Sequence, residues 1–108
     1  IGTLTFKAPD TAKYPCIGLA YEAGRTGGTM TAVLNAANEA ANEMFRGNVG
    51  LGFLDIPKLI ESAMEAHKDD LKLTSVSLDD ILSCDTWARQ HVVSMSKSMV
   101  QQDKVLLL

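Results

Sequence analysis

No stretch of this chain is apolar over the roughly 18 to 20 residues that a bilayer crossing needs, and its N-terminus lacks the charged-then-apolar layout of a secretory signal. It reads as soluble, without a membrane partner. Positive charge is not in excess either. Ten Lys and Arg stand against thirteen Asp and Glu, a net charge of -3, and the charges are spread along the chain. Nucleic acid is excluded as an expected partner, because neutralising phosphates takes a basic stripe. Cysteine is scarce. Cys16 and Cys84 lie far apart with no Cys-x-x-Cys or Cys/His spacing around them, so neither a zinc site nor a disulfide framework is indicated. They read as small buried hydrophobes of a reducing compartment. No Gly-x-Ser-x-Gly elbow anchors a hydrolase triad, and no glycine-rich segment ends in the Gly-Lys-Ser/Thr of a P-loop.

What is present fits one domain with one core: 108 residues, 46% hydrophobic and 21% charged. The chain opens on Ile1 with an apolar/polar alternation, Thr3-Leu4-Thr5-Phe6, already in progress, and reads as a fragment. Residues 1–14 hold a short strand-like stretch and a turn at Ala8-Pro9-Asp10, and form a linker. Residues 15–108 read as an all-α, four-helix bundle-like domain. Its first helix starts at Pro15 and ends near Gly24, with Ile17, Ala20 and Tyr21 along it. After Gly27-Gly28, Thr29 caps a second helix whose face is Met30, Val33, Leu34, Ala37, Ala41, Met44 and Phe45, and Gly47 ends it. Asp55 caps a third, with Ile56, Leu59, Ile60, Ala63, Met64 and His67 at helical spacing, running to about Lys68. Ser77 and Asp80 resemble a capping box for the fourth, whose face is marked by Leu78, Ile81, Leu82, Val92 and Met99.

Several side chains invite a chemical reading. Glu39 and Glu43 offer two carboxylates one turn apart, but they point away from the core and Arg46 sits a turn on, so they read as solvated charges. A di-metal centre would need Glu-x-x-His pairs on facing helices, and neither His67 nor His91 has that spacing. His67, near a helix end, suits a cation interacting with the C-terminal dipole. Gly24-Arg25-Thr26-Gly27-Gly28-Thr29 could cradle an anion at a helix start, but without a P-loop ending or a preceding buried strand it reads as a helix-helix turn. Asn35, Asn38 and Asn42 run along one flank of the second helix and Ala32, Ala36 and Ala40 along the other; alanine on a flank lets another helix come close.

Leu4-Thr5-Phe6-x-x-Pro9-Asp10, Tyr14-Pro15, Leu19-Ala20-Tyr21-Glu22-Ala23, Gly27-Gly28-Thr29, Val33-Leu34-Asn35-Ala36-Ala37-Asn38-Glu39, Leu54-Asp55-Ile56 and Asp85-x-Trp87-Ala88-Arg89 together resemble the C-terminal part of the 1-deoxy-D-xylulose 5-phosphate reductoisomerase family. The resemblance covers nearly the whole chain in order, and two segments look closer to plant-type members. It implies a parent enzyme that converts 1-deoxy-D-xylulose 5-phosphate to 2-C-methyl-D-erythritol 4-phosphate with NADPH and Mg2+ or Mn2+, in non-mevalonate isoprenoid biosynthesis. It further implies a homodimer, in a plastid if plant-type and otherwise cytoplasmic, whose NADPH-binding and catalytic domains precede this segment and are its partners. No catalytic, cofactor-binding or metal residue of the family maps onto these positions, so no site residue is assigned and the segment alone is expected to be inactive and to bind no cofactor. The alternative is a free-standing helical interaction module. Two residue-level expectations follow from helical projection. Trp87 falls nearly opposite Leu78, Ile81 and Leu82, off the core, where another domain would cover it. Asp85 and Arg89 fall in the middle of the fourth helix's apolar face and should form a partly buried network with the Asn stripe.

Overall fold

A computed structural model describes the backbone of residues 15–47 and 50–106 and the side chains of 16–47 and 50–100. The expected strand and linker of residues 1–14 lie outside the described residues. The element order is α1 (Pro15–Thr26), α2 (Met30–Arg46), α3 (Asp55–His67), a 3-10 turn at Lys68–Asp70, and α4 (Leu78–Leu106). The four expected helices are present, and α1 runs two residues past Gly24.

Between α1 and α2 the chain reverses over three residues, with Gly27 at φ 73 and Gly28 at φ 57, a backbone region L-residues avoid. At Gly28 a second constraint applies. A Cβ there would collide with the Lys72 carbonyl and lie 2.8 Å from the Leu73 Cα, because the segment leaving the 3-10 turn crosses against this loop. Thr29, expected as an N-cap, makes no side-chain cap bond and is turned into the interior instead. Asp55 stands one position inside its expected place. It is the first residue of α3, and its carboxylate accepts the Gly52 N–H at 2.8 Å. Ser77 and Asp80 form the expected reciprocal box: the Ser77 N–H donates to Asp80 Oδ2 (2.9 Å) and the Asp80 N–H to Ser77 Oγ (3.1 Å). Lys72, hydrogen-bonded to Asp80, and then the Ser77 bonds hold that carboxyl down at about 2.

All six residues expected on the buried face of α3 are buried: Ile56, Leu59, Ile60, Ala63, Met64 and His67. In α2, Met30, Val33, Ala37 and Ala41 are buried as expected, Leu34 and Met44 are partly so, and Phe45 is exposed. Ala36 and Ala40 are buried too, on the flank that alanine opens to a neighbour, and α2 packs most extensively against α4. In α4 the expected face holds at Val92 and Met99 but fails in the first turns. Leu78 and Leu82 are 70% and 55% exposed, and Ile81 is exposed as well. The helix buries Ala88, Val92 and Ser96, with Cys84 and Trp87 packed against the core. The reason is size. Two helices whose facing positions carry alanine and other small side chains approach closely and exclude leucine, so the α4 seam follows Ala88, Val92 and Ser96 at four-residue spacing rather than its bulkiest residues.

Candidate functional site

Of the three buried polar side chains among the described residues, Ser96 gives its hydroxyl hydrogen to the Val93 carbonyl, and Thr29 and His67 meet where the start of α2, the end of α3 and the N-terminal third of α4 come together. Thr29 is the centre of that meeting. Its N–H donates to the Lys72 carbonyl (2.9 Å), its Oγ1 accepts the Lys72 N–H (3.1 Å), and Oγ1 lies 2.7 Å from His67 Nε2. With the hydroxyl already accepting from Lys72, giving its own hydrogen to a neutral imidazole uses its donor as well. Burial pushes the His67 pKa down, against a weaker opposing pull from Asp70. His67 is therefore a neutral, buried hydrogen-bonding group and not the dipole-facing cation expected from its helix-end position.

Trp87 lies between the two histidines. Its ring is tilted toward His67 at 5.7 Å between centroids and stacked on His91 at 5.1 Å. His91 Nε2 shares a 2.9 Å hydrogen bond with Ser62 Oγ of α3, and burial lowers its pKa as well. So Trp87 is half-buried against the core rather than lying off it, because the true seam of α4 is rotated toward Cys84 and Ala88 and away from the three aliphatic residues Leu78, Ile81 and Leu82.

Cys84 Sγ sits 4.0 Å from His67 Nε2. A cysteine nucleophile needs a thiolate supported by a cationic or basic partner. Here burial raises the Cys84 pKa while burial lowers that of His67, so both stay neutral and the pair is a packing contact. Cys16, expected to be buried, is exposed on α1. The Gly27-Gly28-Thr29 turn does not present an anion cradle: the Thr29 amide is bonded to Lys72, and the Lys72 and Leu73 backbone occupies the space over Gly28. Among the described residues no three His, Cys, Asp or Glu side chains gather as a metal site.

Asp85 and Arg89 pair at 2.7 Å, and Arg89 also reaches Glu39 of α2 at 3.3 Å. The network exists, but its α2 partner is Glu39, not the Asn stripe; Asn42 Nδ2 instead donates to the Asn38 carbonyl at 2.7 Å. With Arg89 and Asp85 side chains 35% and 40% exposed it is partly buried, as expected, and solvent still reaches it. Glu43 is exposed, as expected of a solvated charge. An open groove along α4 is lined by Asp79, Leu82, Ser83, Thr86, Trp87 and Gln90. All of them belong to one helix, so it is a furrow between side chains with no second wall. The Trp87–His91 contact was available to sequence reading, being one helical turn. The Thr29–His67 bond joins residues 38 apart and left no local signal.

A family model described as the DXP reductoisomerase C-terminal domain matches residues 1–91. The chain is 55% identical over 102 residues to the 1-deoxy-D-xylulose 5-phosphate reductoisomerase of Prochlorococcus marinus (strain NATL1A), covering 94% of this chain and 24% of that protein. It is 51% identical over 98 residues to the chloroplastic enzyme of the same name from Oryza sativa subsp. japonica, covering 91% and 20%. Among solved structures, the reductoisomerase of Zymomonas mobilis in complex with NADPH superposes with a TM-score of 0.71 at 37% identity, over 83% of this chain and 23% of that one. The chain thus spans about a quarter of the length of the curated relatives it matches. Both cyanobacterial and plant proteins are among them.

Proposed function

The chain belongs to the DXP reductoisomerase C-terminal domain family, and on that footing we propose that it is the helical-bundle domain of a longer reductoisomerase, supporting the catalytic part without contributing a reacting group. The match of the family model to residues 1–91 carries this reading. The parent activity is conversion of 1-deoxy-D-xylulose 5-phosphate to 2-C-methyl-D-erythritol 4-phosphate with NADPH and a divalent metal, in a homodimer located in a plastid or in the cytoplasm according to source. Residues 1–14 link the bundle to the preceding domains, and the catalytic, NADPH-binding and metal-binding residues lie in those domains. What the bundle's polar groups do supports that division. Thr29 bonds to His67 and to the Lys72 backbone, and Ser62 bonds to His91, so these groups use their hydrogen bonds to tie α2, α3 and α4 together as a scaffold.

Calorimetric titration of the 108-residue chain with NADPH is the direct check. The expected outcome is no binding in the micromolar range, and micromolar binding would reassign the cofactor site to this segment. The full-length protein is expected to oxidise NADPH with the substrate and metal present.

A further inference from the structure

The bundle has two ends, and they differ. The end of α1 leads through a three-residue turn into the start of α2, and the His67–Thr29 bond brings the end of α3 to that same place. At the other end of α2 the Phe45–Phe53 contact joins it to the segment leading into α3, and the chain enters α1 at Pro15, away from the His67–Thr29 joint. Aromatic and aliphatic side chains are uncovered there. Phe53 is 71% and Leu54 68% exposed, and Phe45, exposed too, stands edge-on to Phe53 at 6.0 Å. Two of the chain's three Phe lie in this set. Exposed aromatic clusters of this kind mark interfaces, whose centres are rich in aromatics and poor in charge.

We infer that this apolar end of the bundle, Phe45, Phe53 and Leu54, is the docking surface for the part of the same polypeptide that precedes residue 1. The inference rests on the functional reading above. Three observations select that occupant. The chain is about a quarter of the length of its relatives and matches a C-terminal domain, so in them most of the polypeptide lies upstream. The upstream chain enters α1 at Pro15, the end away from the Thr29–His67 joint, so docking on the Phe53 side is intramolecular and needs little intrinsic affinity. The other exposed apolar group, Leu73, Leu78, Ile81 and Leu82, includes the start of α4 beside the Thr29–His67 joint, at the opposite end. Both groups have charge beside them, Asp79 and the Lys72–Asp80 pair at one and Arg46 and the Asp55–Lys58 pair at the other, but the Phe53 end carries two exposed aromatic rings.

The test places a photo-crosslinking benzoylphenylalanine in the full-length protein at Phe53 in one sample and at Leu82 in another. Crosslinked peptides are mapped by mass spectrometry, with isotopically mixed chains to separate links within a chain from links between chains. The expected result is a link from position 53 to a peptide upstream of residue 1 of the same chain, and none of that kind from position 82. Links from position 53 only to a second copy, links to upstream peptides only from position 82, or no link from position 53 would each overturn the assignment. Reductoisomerase activity is measured on the same samples. An active protein without the expected link refutes the docking surface alone, and the expected link in a protein without activity refutes the functional reading alone.

Discussion

At the scale of single residues, the two adjacent glycines of the α1–α2 turn separate two kinds of cost. Both have positive φ, so any L-residue there is strained by roughly 1 to 2 kcal/mol. A methyl group on the Gly27 Cα would meet nothing within 4 Å, whereas at Gly28 the Lys72 and Leu73 backbone is in the way. Gly27→Ala should therefore lower stability by only about the conformational amount of ~1 kcal/mol. Gly28→Ala should cost clearly more, because it also separates Thr29 from Lys72 and removes two hydrogen bonds of about 1 kcal/mol each. Urea titration of both variants decides this, and equal losses would mean that the Lys72 segment moves aside freely. Sequence reading placed a turn here correctly but could not distinguish the two glycines, since the obstacle at Gly28 comes from a segment more than forty residues away.

At the scale of elements, α3 and α4 behave oppositely. The α3 face is a set of large aliphatic residues with a clean period, and every member is buried. In α4 the largest aliphatic residues cluster in the first turns, where the helix starts beyond the core, and the buried seam is made of small ones. Leu59→Ala, which empties a fully enclosed site, should cost about 2 to 5 kcal/mol. Leu82→Ala should change stability by no more than about 0.5 kcal/mol. Comparable losses for both would restore Leu82 to the core. The Asp85–Arg89–Glu39 tie is an element-scale matter too, since it links α4 to α2. A buried network would lose about 3 to 5 kcal/mol on removal of Asp85. A partly exposed one, screened by solvent, should lose less than about 1 kcal/mol in the Asp85→Ala variant, read as a change in melting midpoint. The raised pKa of Arg89, caused first by Asp85 and then by Glu39, reports the contact and not a large contribution to stability.

For the whole molecule, the two histidines make stability depend on pH. Both are held below the ordinary value of 6.5 by burial, so as pH falls through that value the unfolded chain takes up protons before the folded one does. Their contribution is complete above pH 6.5 and declines as pH falls toward the folded values. The denaturation midpoint should be lower at about pH 5.5 than at about pH 7.5, and a His67→Gln, His91→Gln double variant should lose most of that difference. A parent chain with equal midpoints at both pH values would show that the rings are solvated. The sequence alone was sufficient for the helix count, for the α3 face, for the Ser77–Asp80 box and for the family resemblance, because each is carried by residues within a few turns of one another or by a contiguous motif. Which face α4 buries, that Thr29 and His67 meet, that Trp87 lies between two histidines, and that Arg89 reaches Glu39 were decided only by the tertiary packing. Periodicity fixes where side chains stand around one helix axis, but the rotation of that helix in the bundle depends on how closely its neighbours can approach, and that is set by the sizes of side chains on the facing helix.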